Sequence, residues 1–204
     1  MTRPAWQPRD LPFAHLNLRH NPFGELPTDE RARVAEVGEL SCPRGSVVQL
    51  LGDAGRGKST HLWAWHARNP GSLYEYVPEG ACTLRARALP ELCFVDEAQR
   101  LSRVELRRLF SDAARLVLAS HADLSGFTRR PVRTRMLTGM SEERLGRILT
   151  RRVEAARRST GPVPRFPAET LRAIVARFGD DLRSAESHLY DVFQRLEGPG
   201  DVRL

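Results

Sequence analysis

The sequence predicts an α/β fold: a parallel sheet with helices on both faces, followed by a small C-terminal helical lid. Three observations predict it. Short apolar runs rich in branched residues alternate with helical segments up to residue 140, and each run stops at a cluster of polar residues or glycines. From Ser141 onward only helical periodicity remains. Strands buried on both faces read as such continuous apolar runs, and ligands bind beyond the carboxyl ends of parallel strands.

The elements follow in chain order. "SVVQLL" (46–51) is a short apolar, β-branched run of the kind a buried parallel strand requires. "THLWAWHA" (60–67) is a helix with Leu62, Trp63 and Trp65 available for burial and with His61 and His66 on its surface. "SLYEYVP" (72–78) alternates like a strand, and "ACTLRARALP" has room for a couple of helical turns at most. In "ELCFVDEAQRL" (91–101), four apolar residues from Leu92 to Val95 run straight into Asp96 and Glu97. Ser102 is placed to cap a helix over "RVELRRLFSDAAR". "LVLASHADL" (116–124) is a buried strand whose polar residues begin at Ser120 and His121, and "PVRTRMLTGM" (131–140) is the last strand-like piece. Three helices complete the chain. "SEERLGRILTRRVEAARR" carries Leu145, Ile148, Leu149 and Val153 on one stripe, with acids in its first turn and arginines in its last. "AETLRAIVARF" is a second amphipathic helix, and "GDDLRSAESHLYDVFQRL" opens at a glycine and an aspartate cap. The expected organisation is an N-terminal segment packing on the core (1–40), the α/β core (41–139), a three-helix lid (140–197) and a flexible tail (198–204).

"LLGDAGRGKST" (50–60) contains the only lysine of the chain; the other 31 basic residues are arginines. A compact ammonium on a flexible stem fits between phosphate groups where a planar guanidinium does not. The neighbours agree, because Gly52, Gly57, Lys58 and Ser59 match the phosphate-binding P-loop, G-x-x-x-x-G-K-[ST]. The loop Gly52, Asp53, Ala54, Gly55, Arg56, Gly57 is expected to curl its N–H groups inward, with Lys58, Ser59 and Thr60 opening a helix whose N-terminus favours anions. In this arrangement Lys58 bridges the β- and γ-phosphates of ATP and the Ser59 hydroxyl ligates Mg²⁺. An apolar strand ending in two acids supplies the second half of such a site. Asp96 is expected to hold Mg²⁺ through water, and Glu97 to polarise an attacking water as general base.

Bulk properties narrow the remaining choices. No apolar run approaches the roughly 18 residues a membrane span needs, and "MTRPAWQPRDLPF" has no apolar segment of a secretory signal. Cys42, Cys82 and Cys93 are odd in number and scattered, which suggests neither a disulfide framework nor a zinc site. The expected location is the cytoplasm. Residues 129–158 hold ten arginines against three glutamates and so carry the entire net charge of +7. Charge concentrated in this way is the footprint of a polyanion, with nucleic acid the first candidate and a solvated arginine-rich helix face the alternative.

These residues resemble an AAA+ ATPase. The P-loop strand, "CFVDE", a strand ending in a small polar residue and a helical lid with "GDDLR" occur in that family's order over nearly the whole chain. The resemblance implies a P-loop NTPase core of AAA+ type. It also implies ATP and Mg²⁺ as bound groups and a homo-oligomer with shared ATP sites. It assigns sensor 1 to Ser120, with His121 as the alternative, and sensor 2 to Arg183. It places an arginine finger among Arg129, Arg130, Arg133 and Arg135, with Arg130 favoured. "LRHNPFGELPTDE" (18–30) and "RTRMLTGMSEERLGRILTRRVEAAR" are similar to the secretion-associated and transposition-helper branch. Leu18, Pro22 and Phe23 either pack beside the adenine or staple the N-terminus to the core. Only about 14 residues separate the second strand from that of Asp96, which leaves little room for a long pore loop. The implied function is ATP hydrolysis by an oligomer on or near DNA, as in a transposition helper or loader. The alternative is a slow or non-hydrolysing nucleotide switch that binds a protein partner. A small-molecule kinase is the third reading, disfavoured by the Asp96–Glu97 pair, which points to water as acceptor.

Overall fold

The computed structural model describes residues 12–204. The chain divides into two compact units, Pro27–Thr138 and the segment up to Leu26 together with Gly139–Leu204.

The first unit holds a five-stranded, all-parallel sheet in the order β2-β3-β4-β1-β5. Its elements are α1 (Thr28–Val34), β1 (Val47–Leu51), α2 (Lys58–Ala67), β2 (Leu73–Tyr76), β3 (Leu92–Asp96), α3 (Arg103–Asp112), β4 (Arg115–Ser120) and β5 (Val132–Met136). The three central strands are buried on both faces, which is why their sequences run apolar without alternation. One face packs Val48, Leu50, Phe94 and Val117 against Leu62 and Trp65 of α2. The other packs Val47, Cys93, Val95, Leu116 and Leu118 against Leu106, Leu109 and Phe110 of α3. Gln49 is the polar exception in β1. It is fully buried, and its amide is satisfied by the Asp123 carboxylate at 2.8 Å, the Thr134 hydroxyl at 3.2 Å and the Leu124 N–H at 2.7 Å. β5 is an edge strand with Arg133 and Arg135 exposed, charges that discourage pairing with another strand. Because β3, β4 and β1 are neighbours, the loops that follow them emerge side by side.

The histidines of α2 depart from the expectation of a helix-surface pair. His61 is buried with its Nδ1 2.9 Å from the Gly57 carbonyl, and His66 Nδ1 lies 2.8 Å from the Ser72 hydroxyl.

The second unit contains α4 (Glu142–Ala156), α5 (Ala168–Phe178) and α6 (Leu182–Phe193). Its core is completed by the N-terminal segment: Phe13, Leu16, Leu18 and Phe23 are buried with Leu149, Val153, Leu189 and Phe193. The domain boundaries expected at 1–40 and 41–139 therefore move. Residues 12–26 belong to the helical unit, and α1 belongs to the sheet unit; residues 1–11 of that expectation lie outside the described residues. The physical reason is a set of contacts within the helical unit. Asn21 accepts from the Phe23 N–H at 3.0 Å and donates to the Tyr190 carbonyl at 3.0 Å, while Phe23 meets Phe193 edge-on at 5.0 Å. The flexible tail expected at 198–204 is also corrected. Val202 is fully buried, its carbonyl accepts from the Thr170 hydroxyl at 2.6 Å, and its N–H donates to the Arg165 carbonyl at 2.8 Å. Among the described residues no helix is long and apolar enough to cross a membrane.

Candidate functional site

The glycine loop between β1 and α2 is shaped by two positions where a side chain is excluded or strained. A Cβ on Gly52 would lie 3.1 Å from the Leu137 carbonyl oxygen, and Gly57, which caps α2, has φ 82°. The loop closes on Lys58, whose Nζ donates to the Gly52 carbonyl at 2.6 Å and the Asp53 carbonyl at 2.8 Å. Lys58 is only 5% exposed. Burial pushes its ammonium below the ordinary lysine pKa, opposed by the charges of Glu97, Asp96 and Asp53. Among the described residues no carboxylate stands within ion-pair distance of it, so a buried cation sits at the N-terminus of a helix with its acids near but not in contact.

The acids lie at the end of β3. Asp96 is 1% exposed; one oxygen accepts from the Glu97 N–H at 3.0 Å and the other from the Tyr74 hydroxyl at 3.1 Å. Burial and the adjacent carboxylate push the Tyr74 phenol well above its usual range. Glu97 adopts a left-handed backbone at φ 58°, a strained conformation for a side-chain-bearing residue. Its Oε2 accepts from Gln99 at 2.7 Å and pairs with Arg100 at 3.4 Å, while its Oε1 lies 3.5 Å from Nε2 of His121. The same His121 nitrogen is 3.5 Å from the Lys58 ammonium. Lys58, Glu97 and His121, contributed by three loops at adjacent strands, thus form one cluster, with Asp96 preceding Glu97 at the end of β3.

Ser120 immediately precedes His121, and its hydroxyl is engaged within its own turn. It is fully buried, donates to the Ala122 carbonyl at 2.7 Å and accepts the Ala122 N–H at 3.0 Å, closing the turn after β4. Arg130 is likewise committed. Its guanidinium donates to the carbonyls of Gly45, Ser46, Phe110, Ala113 and Ala114 at 2.6–3.0 Å, so all five contacts bind the sheet unit together. That geometry opposes a role for Arg130 in reaching another subunit. Arg129, Arg133 and Arg135 are exposed, and Arg135 stands over the Trp65 ring at 5.8 Å. Asp53 and Arg56 pair across the glycine loop at 3.3 Å, Ala54 is exposed, and Gly55, Ser59 and Thr60 are half-buried. Arg183 is exposed in the first turn of α6, beside the Asp181 cap, in the helical unit.

The arginine-rich run 129–158 holds both exposed and buried arginines. It is divided between the two units, and several of its arginines are engaged. Arg152 is buried, donating to the Pro22 carbonyl at 2.9 Å and pairing with Glu186 at 3.4 Å. Arg147 pairs with Glu143 at 2.7 Å and Arg157 with Glu154 at 2.6 Å.

Sequence reasoning missed Tyr74, Gln99 and Arg100. The two that follow Glu97 were legible as polar residues two and three positions on. Tyr74 was not, since its approach to Asp96 depends on β2 lying next to β3.

Neither a family model nor a curated protein matches this sequence. Among solved structures, the fold is similar to the Thermotoga maritima RuvB Holliday junction branch migration motor. The TM-score is 0.54 at 14% identity, covering 76% of this chain and 57% of that one. The likeness, with the five-stranded parallel sheet, shows an α/β fold of the P-loop NTPase type with C-terminal helices.

Proposed function

We propose that this chain binds and hydrolyses ATP with Mg²⁺ and acts as an oligomer on or near DNA, as a transposition helper or loader does. The observation that carries the reading is Lys58: a buried ammonium at a helix N-terminus, with no carboxylate in direct contact among the described residues, and held by the loop carbonyls of Gly52 and Asp53. Such a site is complementary to a polyphosphate, whose charge would pair directly with the ammonium. The residues present fit the bound groups. The amides of residues 53–60 and the Lys58 ammonium would hold phosphates, and Ser59 with Asp96 would hold Mg²⁺, which neutralises phosphate charge when bound. Glu97 then orients and deprotonates water. His121, which already reaches both Glu97 and Lys58, takes the polar role beside them in place of Ser120, whose hydroxyl closes its own turn. The arginine supplied to a neighbouring subunit falls to Arg129, Arg133 or Arg135, and Arg183 is the candidate from the lid. The likeness in fold to RuvB, a Holliday junction branch migration motor, lends weight to a DNA-associated role.

One observation favours the second reading, a slow or non-hydrolysing switch that binds a protein partner. Glu97 is held by Gln99 at 2.7 Å and paired with Arg100 at 3.4 Å, so one of its oxygens is already engaged and not free to orient a water. The experiment measures nucleotide binding and hydrolysis with and without duplex DNA at low and high salt. Lys58→Ala is expected to abolish both. Glu97→Gln is expected to retain binding and to lower hydrolysis by about 10² or more. Stimulation by DNA that fades with salt supports the first reading, and binding without turnover supports the second. Nucleotide binding indifferent to Lys58 sinks both.

A further inference from the structure

We propose that the DNA-binding surface of this protein is the face of the sheet unit formed by the β2–β3 loop and the outer side of α3, and that Arg85, Arg87, Arg103 and Arg107 contact the phosphate backbone of duplex DNA there. The proposal deepens the DNA-associated reading above, on which it rests, and moves the contact away from the run 129–158.

The first observation is how the loop is held. It has no regular secondary structure, yet three consecutive amides are fixed by two buried carboxylates. Glu105 accepts from the Leu84 N–H at 3.1 Å, and the two oxygens of Glu75 accept from Arg85 and Ala86. Arg108 of α3 binds Glu105 at 2.7 Å and donates to the Ala86 and Arg87 carbonyls at 3.3 Å each. Burying two acids is costly unless each is fully hydrogen-bonded, and here the bonds are spent on a surface loop. What the braced backbone displays is Arg85 and Arg87, both exposed.

The second observation is the distribution of charge on α3. Of the helix's acids, Glu105 turns inward to the loop and Arg108, and Asp112 acts on the same Arg108. Arg103 and Arg107, one turn apart, are exposed, and among the described residues no ion pair takes them or Arg85 and Arg87. Like charges at this spacing destabilise a helix by a few tenths of a kcal/mol, a cost that a bound polyanion removes. The loop and helix are joined by Arg108, so the four cations share one rigid support.

The third observation concerns the kind of partner. Protein interfaces are centred on buried aromatic or aliphatic anchors. On α3, Val104 is the only large exposed hydrophobic residue. A rigid array of arginines whose one large exposed hydrophobic neighbour on the helix is the aliphatic Val104 suits phosphates, which guanidinium groups bind through paired N–H donors.

The test is fluorescence anisotropy of a short labelled duplex of mixed sequence, titrated between about 50 and 200 mM salt. The variants are Arg85→Gln/Arg87→Gln, Arg103→Gln/Arg107→Gln and, on the lid, Arg144→Gln/Arg158→Gln. Each sheet-unit pair is expected to weaken binding about tenfold or more at low salt and to reduce the log–log salt slope by about 2, the loss of two phosphate contacts. The lid pair is expected to leave both unchanged, and circular dichroism to show all three folded. Equal losses in the lid pair, or no duplex binding by the parent protein at low salt, would overturn the proposal. Arginine-dependent binding of polyglutamate without binding of duplex would also overturn it, and would assign the face to an acidic protein. ATP hydrolysis measured on the same samples keeps the two readings apart. Lys58-independent or absent hydrolysis tells against the ATPase, whereas a changed duplex slope reports only on this face.

Discussion

Lys58 and Cys93 show how burial sets the chemistry of single residues. The lysine is held among loop carbonyls where its charged form is disfavoured, a cost that a phosphate ligand would reverse. Retaining that lysine in a chain otherwise supplied with arginine is the clearest sign of function in the sequence, and it was legible there. Cys93 is the opposite case, a thiol whose role is packing. It is fully buried under α3, and burial pushes its pKa up to about 11. Cys82 is exposed. At neutral pH a maleimide is expected to label Cys82 and spare Cys93, because the thiolate of Cys93 forms only as pH approaches about 11. Mass spectrometry of the labelled peptides checks this; equal labelling of Cys93 in the folded protein would show that β3 is not buried as described.

At the scale of elements, caps carry much of the local specification. Ser102 accepts from the Glu105 N–H at 3.2 Å and Ser141 from the Arg144 N–H at 3.2 Å, as residues preceding their helices should. Asp181 caps α6, accepting from the Ser184 N–H at 3.1 Å and the Ser184 hydroxyl at 2.7 Å. These bonds hold its carboxyl below the ordinary aspartate range, the Ser184 hydroxyl contributing most. Asp181→Ala is expected to destabilise the helical unit by about 1 kcal/mol in chemical denaturation at neutral pH. A carboxylate with a depressed folded pKa stabilises fully above its unfolded value and loses that contribution as pH falls through the folded one. The difference between variant and parent should therefore shrink as pH falls below the ordinary aspartate pKa of about 4. A constant difference down to that range would rule out the ionised cap as its source. The strands themselves were legible because both faces of the central three are covered, so apolar runs mark them without ambiguity. β5 was legible only as strand-like, since an exposed edge has no burial pattern to read.

At the scale of the whole molecule, residues 12–26 are part of the helical unit, whereas α1 belongs to the sheet unit. Phe23 lies at the centre of that arrangement, between Phe166 and Phe193, with the Arg152 guanidinium over its ring at 5.8 Å. Phe23→Ala is expected to cost about 3–5 kcal/mol in the helical unit, read as lost hydrogen-exchange protection in α4 and α6. Protection in β1, β3 and β4 should be retained. Uniform loss in both units would mean that they unfold as one. The Asn-Pro-Phe stretch offered two readings in the sequence, beside a nucleotide or as a staple; Asn21 and Phe23 act as a staple, and on the helical unit.

By itself the sequence determined the α/β fold with C-terminal helices, the position of the glycine loop and the acids that follow the third strand. These are local properties: hydrophobic periodicity, backbone freedom at glycine, and residue types at fixed spacing. The tertiary structure decided which polar groups were free to act. Ser120 and Arg130 had suitable positions in the chain, but their hydrogen bonds are consumed by a turn and by five carbonyls. Arg85, Arg87, Arg103 and Arg107 had no distinguishing pattern among 31 arginines; they stand out because buried acids fix the loop that carries the first two and tie it to the helix that carries the others. Hydrogen-bond satisfaction is a property of groups brought together from distant parts of the chain, so no local spacing records it.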